Sequence, residues 1–210
     1  MPLDEFVCEV EYPVCPAGCQ CTKRPYNQTY VVKCPYANSM PITLPDTRHP
    51  GPLKCHYSLD FRGSQLYTID YRNYFNNTVT VDVSDSSVNH ITDDSWRALS
   101  TFKHVDLSNN KLTVLPTILQ PENLTFESIA LYGNPWRCQC DDRWIRSWME
   151  SLGDGLLLRD SVLCDSPTWL SGKSVLSVTN ENDFCYDPNI QKQAKLLMVC
   201  ELVKFEGSRA

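Results

Sequence analysis

Between residues 59 and 134 the chain alternates apolar and polar positions in short bursts that return in register. Lys103-His104-Val105-Asp106-Leu107-Ser108-Asn109-Asn110-Lys111-Leu112 shows one burst, with Val105, Leu107 and Leu112 apolar and Asn110 between them. Val81, Val83, Ser86 and Val88 take the same places 24 residues earlier, and Leu59, Phe61, Ser64 and Leu66 take them 22 residues before that. Ile129, Leu131 and Asn134 follow 24 residues later. The alternation at the head of each burst predicts a short strand with one apolar face. Asn110 falls where the chain turns, so its side chain can hydrogen-bond the backbone of neighbouring turns.

This spacing resembles the leucine-rich repeat, L-x-L-x-x-N-x-L, whose period is about 20–29 residues. The resemblance implies an α/β leucine-rich repeat solenoid, with a short parallel β-sheet on the concave face and an irregular convex side. Ile91, Trp96, Leu99 and Phe102 fall where one coil needs apolar filling, and Leu115 and Leu124 do so in the next. The positions between the inward residues then face outward from the sheet. Centrally these are Asp60, Asp82, Asp106 and Ala130, flanked by Arg62, Ser84, Ser108 and Tyr132 on one side and Ser58, Thr80, His104 and Ser128 on the other. Three aspartates stacked at the roughly 5 Å strand spacing repel one another. The face reads either as an acidic strip for a basic partner or as a solvated sheet surface, with Asp60, Arg62, Asp82, Ser84, His104, Asp106 and Tyr132 as candidate binding residues. His104 is either a pH-sensitive contact or an ordinary surface histidine.

Cysteine-rich segments bracket the repeats. Cys15-Pro16-Ala17-Gly18-Cys19-Gln20-Cys21 is followed after twelve residues by Cys34. This resembles the N-terminal cysteine cap of extracellular leucine-rich proteins, C-P-x-x-C-x-C, and the resemblance implies bridges Cys15–Cys21 and Cys19–Cys34. The first coil of a solenoid has a naked apolar end. A small hairpin with Tyr30-Val31-Val32-Lys33 as one strand covers it only if stapled. The competing reading is a four-cysteine zinc site, although such sites favour C-x2-C pairs. Residues 35–57 are proline-rich and connect rather than form a long element. Cys55, just before the first strand, is either a buried lone thiol or the partner of a leftover cysteine.

At the other end stand Asn134-Pro135-Trp136-Arg137-Cys138-Gln139-Cys140 and then Trp144, Ile145, Trp148, Met149 and Leu152, the apolar face of a helix. Asp141 and Asp142 are expected in its first turn. The segment, with Cys164 and Cys185, resembles the C-terminal cap N-P-W-x-C-x-C of the same proteins. The resemblance implies Cys138–Cys164 and Cys140–Cys185, with Trp136 sealing the last coil.

Eleven cysteines and three N-glycan acceptor triplets, at Asn27, Asn76 and Asn123, point to the secretory pathway. The start, Met1-Pro2-Leu3-Asp4-Glu5, lacks a signal peptide, and no apolar run approaches the roughly 18 residues of a membrane span. An excised piece of a longer extracellular protein is the expectation. The net charge of −6 argues against nucleic acid and acidic membrane surfaces as partners.

Asp4-Glu5-Phe6-Val7-Cys8 resembles Glu181-Asn182-Asp183-Phe184-Cys185, which suggests that Cys8 ends another C-terminal cap upstream. One cap followed at once by another, a few repeats and a final cap is similar to the membrane-proximal ectodomain of Toll receptors of the invertebrate, multiple-cysteine-cluster type. The division expected is residues 1–14 as the tail of an upstream C-terminal cap, 15–55 as the N-terminal cap, 56–135 as repeats, 136–185 as the C-terminal cap and 186–210 as a juxtamembrane stalk or secreted tail. In that last stretch residues 194–203 are amphipathic, and Cys200 is a candidate for an interchain bridge.

No catalytic constellation is visible around His49, His56, His90 or His104, and there is no glycine-rich phosphate loop. A binding module without enzymatic activity or cofactors is expected. The resemblance implies a ligand-binding and dimerisation ectodomain of a Toll-like innate immune receptor, on the extracellular side of a plasma membrane crossed by a span absent from this chain. Its partners would be a protein ligand, cytokine-like or microbial, and a second receptor copy in a homodimer. The alternatives are a secreted antigen-binding protein resembling the variable lymphocyte receptors, or an extracellular-matrix or adhesion scaffold. Tyr132 is the single aromatic among the outward positions, which weighs against the first alternative.

Overall fold

A computed structural model describes residues 15–24, 28–45, 55–119, 126–178 and 184–185. Each β-rich burst forms a strand where predicted. The N-terminal hairpin is β1 (Gln20–Arg24) and β2 (Thr29–Lys33), and the bursts give β3 (His56–Asp60), β5 (Thr78–Asp82), β7 (His104–Asp106) and β8 (Ser128–Ala130). Short outer strands β4 (Thr68–Ile69) and β6 (His90–Ile91) pair with each other. So do β9 (Trp136–Arg137) and β11 (Cys164–Ser166). With β10 (Leu156–Leu157), the main sheet has seven strands in the order β1-β2-β3-β5-β7-β8-β10. Only the β1–β2 pair is antiparallel; every other neighbouring pair in this sheet is parallel.

The register stacks like upon like. Val32, Leu59, Val81, Val105, Ile129 and Leu156 form one row across the sheet, each buried to 3% exposure or less. Because side chains alternate along a strand, this row fixes the core face and leaves its neighbours outward. Phe61, Val83, Leu107 and Leu131 make a second buried row one step beyond the strands, and Leu66, Val88 and Leu112 a third. Trp96, Leu99 and Phe102 fill one coil and Leu115 the next, all buried; Leu124 lies outside the described residues.

The polar corners close each coil. Asn110 is buried and its Nδ2 donates to the carbonyls of Val83 (2.8 Å), Leu107 (3.2 Å) and Ser108 (3.0 Å), while its Oδ1 accepts from the Val88 amide (2.9 Å). Asn134 repeats the arrangement one coil on, donating to Leu107, Leu131 and Tyr132 and accepting from the Leu112 amide. At Ser86 a hydroxyl substitutes, 3.2 Å from the Phe61 carbonyl and 3.1 Å from the Ser64 hydroxyl. Immediately before each corner the backbone is left-handed, at Gly63, Asp85, Asn109 and Gly133 with φ of 68°, 54°, 53° and 70°. Gly, Asp and Asn are the residues that tolerate this region. The amides of Gly63, Asp85 and Asn109 there donate to the next coil, at Ser84, Ser108 and Tyr132.

Helix α1 (Asp93–Leu99) forms part of the return from β5 to β7, with Thr92 accepting from the Ser95 amide at its start and Asp93 and Asp94 in its first turn. Both features favour a helix N-terminus. The second helix, α2, runs over Trp144–Ser151 and buries Ile145, Trp148 and Met149, with Trp144 only half-buried. Asp141 and Asp142 do not enter its first turn, contrary to expectation. They end a separate 3-10 turn, Cys140–Asp142. Asp142 is drawn there because it accepts from the Gln139 amide (3.2 Å) and pairs with Arg137 (3.1 Å).

Four disulfides staple the ends: Cys15–Cys21, Cys19–Cys34, Cys138–Cys164 and Cys140–Cys185. Trp136 is buried against the last coil and its indole donates to the Leu131 carbonyl at 2.9 Å. Cys55 is a buried free thiol. Cys8 and Cys200 lie outside the described residues. Among the described residues no helix is long and apolar enough to cross a membrane.

Candidate binding surface on the sheet

The outward row of the sheet is longer than the sequence suggested, because both caps contribute a strand. It reads Lys33, Asp60, Asp82, Asp106, Ala130, Leu157 in consecutive ladder positions. The terminal members were missed in the sequence. Lys33 was legible as part of a strand, but its alignment with Asp60 required the β2–β3 register. The two-residue β10 has no repeat signal of its own.

The three aspartates are not a bare acidic strip. Asp82 Oδ1 accepts from the Ser84 amide (3.0 Å) and hydroxyl (2.6 Å), and Asp106 Oδ1 accepts from Ser108 in the same way (2.9 and 2.6 Å). Asp60 Oδ1 accepts from the Arg62 amide at 3.2 Å. Each carboxylate therefore spends one oxygen on closing its own turn. The second oxygen of Asp60 lies 3.7 Å from Lys33 Nζ, and that of Asp82 is clasped by Arg62 through both Nε (3.0 Å) and a terminal nitrogen. The repulsion expected of three stacked carboxylates is thus offset by two cations. Burial alone would raise the Asp82 pKa, but the Arg62 and Ser84 hydrogen bonds outweigh it and hold the carboxyl below its ordinary value. The Arg62 guanidinium is raised in turn, chiefly by its hydrogen bond to Asp82.

Ser84 and Ser108, expected on the outward flank, are instead buried. The chain turns immediately after each strand, and their hydroxyls fold back onto the aspartates. Ser84 consequently leaves the set of contact candidates. Tyr132 is half-buried and packs against the core, Ala130 is fully buried, and Arg62 and His104 are exposed.

On the flank where strands begin, Lys103 Nζ pairs with Glu127 at 2.5 Å. His104 Nδ1 lies 2.9 Å from the Ser128 hydroxyl and Nε2 lies 3.6 Å from Glu127. The Lys103 hydrogen bond is the main cause that lowers the Glu127 pKa. Asp106, by contrast, has no cation within pairing distance among the described residues, and two strands along from it Leu157 is 42% exposed. The adjoining Leu158, left-handed at φ 45°, is 62% exposed. The surface thus grades from paired charges at the N-terminal end to an open carboxylate and apolar groups at the C-terminal end.

No protein-family model matches the sequence. It is 31% identical over 96 residues to chondroadherin of Mus musculus, a match covering 46% of this chain and 25% of that protein. It is 30% identical over 105 residues to Immunoglobulin superfamily member 10 of Mus musculus, covering 46% of this chain and 4% of that one. The chain thus matches only a quarter or less of the length of these relatives. Among solved structures, a chain of the Drosophila Toll–Spatzle complex superposes with a TM-score of 0.65 at 19% identity, covering 82% of this chain and 22% of the other. A chain of the octameric complex of Latrophilin 3, Unc5D and FLRT2 gives 0.52 at 21% identity, covering 63% and 40%.

The fold is a leucine-rich repeat solenoid with disulfide-bonded caps. Its concave side is the main sheet, so the row from Lys33 to Leu157 is the concave centre line. In this frame the residues of that line share one open face, while Asn76 stands apart from it, in the 3-10 turn Asn73–Asn77. The other two glycan acceptors, Asn27 and Asn123, lie outside the described residues.

Proposed function

We propose that the chain is an extracellular protein-recognition module, working without catalysis, that binds its partner on the C-terminal half of the concave centre line. The observation that carries this is the pairing of an open carboxylate at Asp106 with the exposed side chain of Leu157, the buried Ala130 forming a floor between them. Two strand spacings separate Asp106 from Leu157, about 10 Å. A complementary partner segment presents a lysine or arginine and an apolar side chain about 10 Å apart on one face. The N-terminal half is less available for a charged partner, because Lys33 and Arg62 already occupy Asp60 and Asp82. Four disulfides support an oxidising compartment.

In finer terms, we read the module as part of the ectodomain of a Toll-type receptor, engaging a protein ligand, a second receptor copy or both. The succession of caps around few repeats supports this, and so does the likeness in fold to a chain of the Toll–Spatzle complex over 82% of the sequence.

The test of the surface is selection of a random peptide library on the folded, secreted chain. Enriched peptides are expected to carry a basic and an apolar residue at that spacing. They should lose binding to Asp106→Asn, which keeps the bonds to Ser108, and to Leu157→Ser, but not to Asp94→Asn on α1. Peptides that bind all three variants as they bind the unaltered chain would refute it. The Toll-type reading is tested separately by the transcript beyond the codon for Val203. A membrane span of about 20 apolar residues and a cytoplasmic domain support it; a stop codon overturns it in favour of a soluble binder.

A further inference from the structure

We propose that the groove beside Asn76 seats the first sugar of an N-linked glycan. Asn76-Asn77-Thr78 is an acceptor triplet, and Asn76 is exposed in the turn Asn73–Asn77. Its carboxamide is oriented. The Tyr71 hydroxyl donates to Oδ1 at 3.1 Å, which holds the carboxamide, and with it the Nδ2 that carries the sugar, against the Tyr71 side chain. Adjoining it is a groove of about 410 Å³ lined by Tyr71, Asn76, Asp94, Arg97, Ala98 and Thr101. That volume falls in the range of small-ligand sites.

The lining suits a pyranose. One face of a sugar ring is a patch of C–H groups that stacks on an aromatic ring, and its edge carries hydroxyls and an acetamide. The Tyr71 ring is half-buried and held edge-on by buried Phe75, with centroids 5.9 Å apart. It is therefore a fixed platform rather than a swinging side chain. Opposite it α1 presents Arg97 paired to Asp94 at 2.7 Å, together with the Thr101 hydroxyl just beyond the helix. These supply donors and acceptors for the sugar edge. In the modification Nδ2 loses one hydrogen and bonds to the sugar C1, while a lipid-linked diphosphate leaves as donor and takes up the proton. None of the groove residues belongs to the concave centre line, so a glycan here leaves that face open.

The experiment uses the whole chain secreted from eukaryotic cells, with glycans trimmed enzymatically to a single N-acetylglucosamine. The Asn76 peptide should carry that sugar by mass spectrometry. The trimmed protein should melt roughly 2–4 °C above Asn76→Gln, the shift expected of a modest favourable contact in a chain of this size. In a Tyr71→Leu background the same comparison should show no sugar-dependent difference, and in Arg97→Ala a reduced one. An unmodified Asn76, or an undiminished increment without the Tyr71 ring, would overturn the proposal.

Discussion

Replacing Asn110 with alanine removes the side chain that closes the central coil, and the structure allows its cost to be worked out. Of the four backbone groups that Asn110 serves, two have other partners. The Leu107 carbonyl also accepts from Asn134 Nδ2, and the Ser108 carbonyl from the Asp85 amide. The Val88 amide and the Val83 carbonyl have only Asn110 among the bonds described. Each buried polar group left without a partner costs about 1–3 kcal/mol, so the pair costs about 4 kcal/mol. That is a large share of the 5–15 kcal/mol typical of a folded domain. At roughly 2–4 °C per kcal/mol, melting should fall by about 8–16 °C. Asn110→Ser is the internal control, since Ser86 does the same task one coil earlier with a hydroxyl. A serine retains a donor for a carbonyl but leaves the Val88 amide unpaired, so about half the loss is expected. Thermal unfolding followed by circular dichroism under oxidising conditions reads both. A drop of less than about 2 °C for Asn110→Ala, or equal drops for the two variants, would refute the assignment of the corner as a backbone clamp.

Acid stability should depend on Asp82. Its folded pKa is depressed, so its contribution is present above the ordinary carboxylate value of about 3.9 and is lost as pH falls through the lower folded value. Asp82→Asn is therefore expected to flatten the fall in stability below about pH 4, measured as denaturant midpoint against pH; an unchanged slope would count against the Arg62 clasp. Glycine substitutions should separate two effects. Gly63→Ala meets no atom within 4 Å and pays only the left-handed penalty of about 1–2 kcal/mol, whereas a Cβ at Gly133 would lie 2.0 Å from Asn109 Oδ1 and 3.1 Å from its Cα. Gly133→Ala should thus be the more destabilising by chemical denaturation, and equal losses would contradict the close approach of those two coils.

Much of this molecule was legible because a solenoid repeats its constraints. Alternation in Val105-Asp106-Leu107 states which face is buried, and the 22- and 24-residue returns state which residues stack, since coils that hold phase lie beside one another. The column of Gly63, Asp85, Asn109 and Gly133 carries the same period and is itself a signal for a left-handed turn. What sequence could not supply were relations between elements without a shared period. Lys33 meets Asp60 and Leu157 meets Ala130 only because the two caps dock their strands in one register on the sheet edges. Likewise Asp142 serves Arg137 rather than helix α2, because the cap chain folds back before that helix begins. Local pattern determined the coils, their buried rows and their polar corners, because each is satisfied within one period. Tertiary structure alone decided which aspartates of the concave line are paired and which remains open, because charge pairing depends on distances across strands that no single repeat encodes.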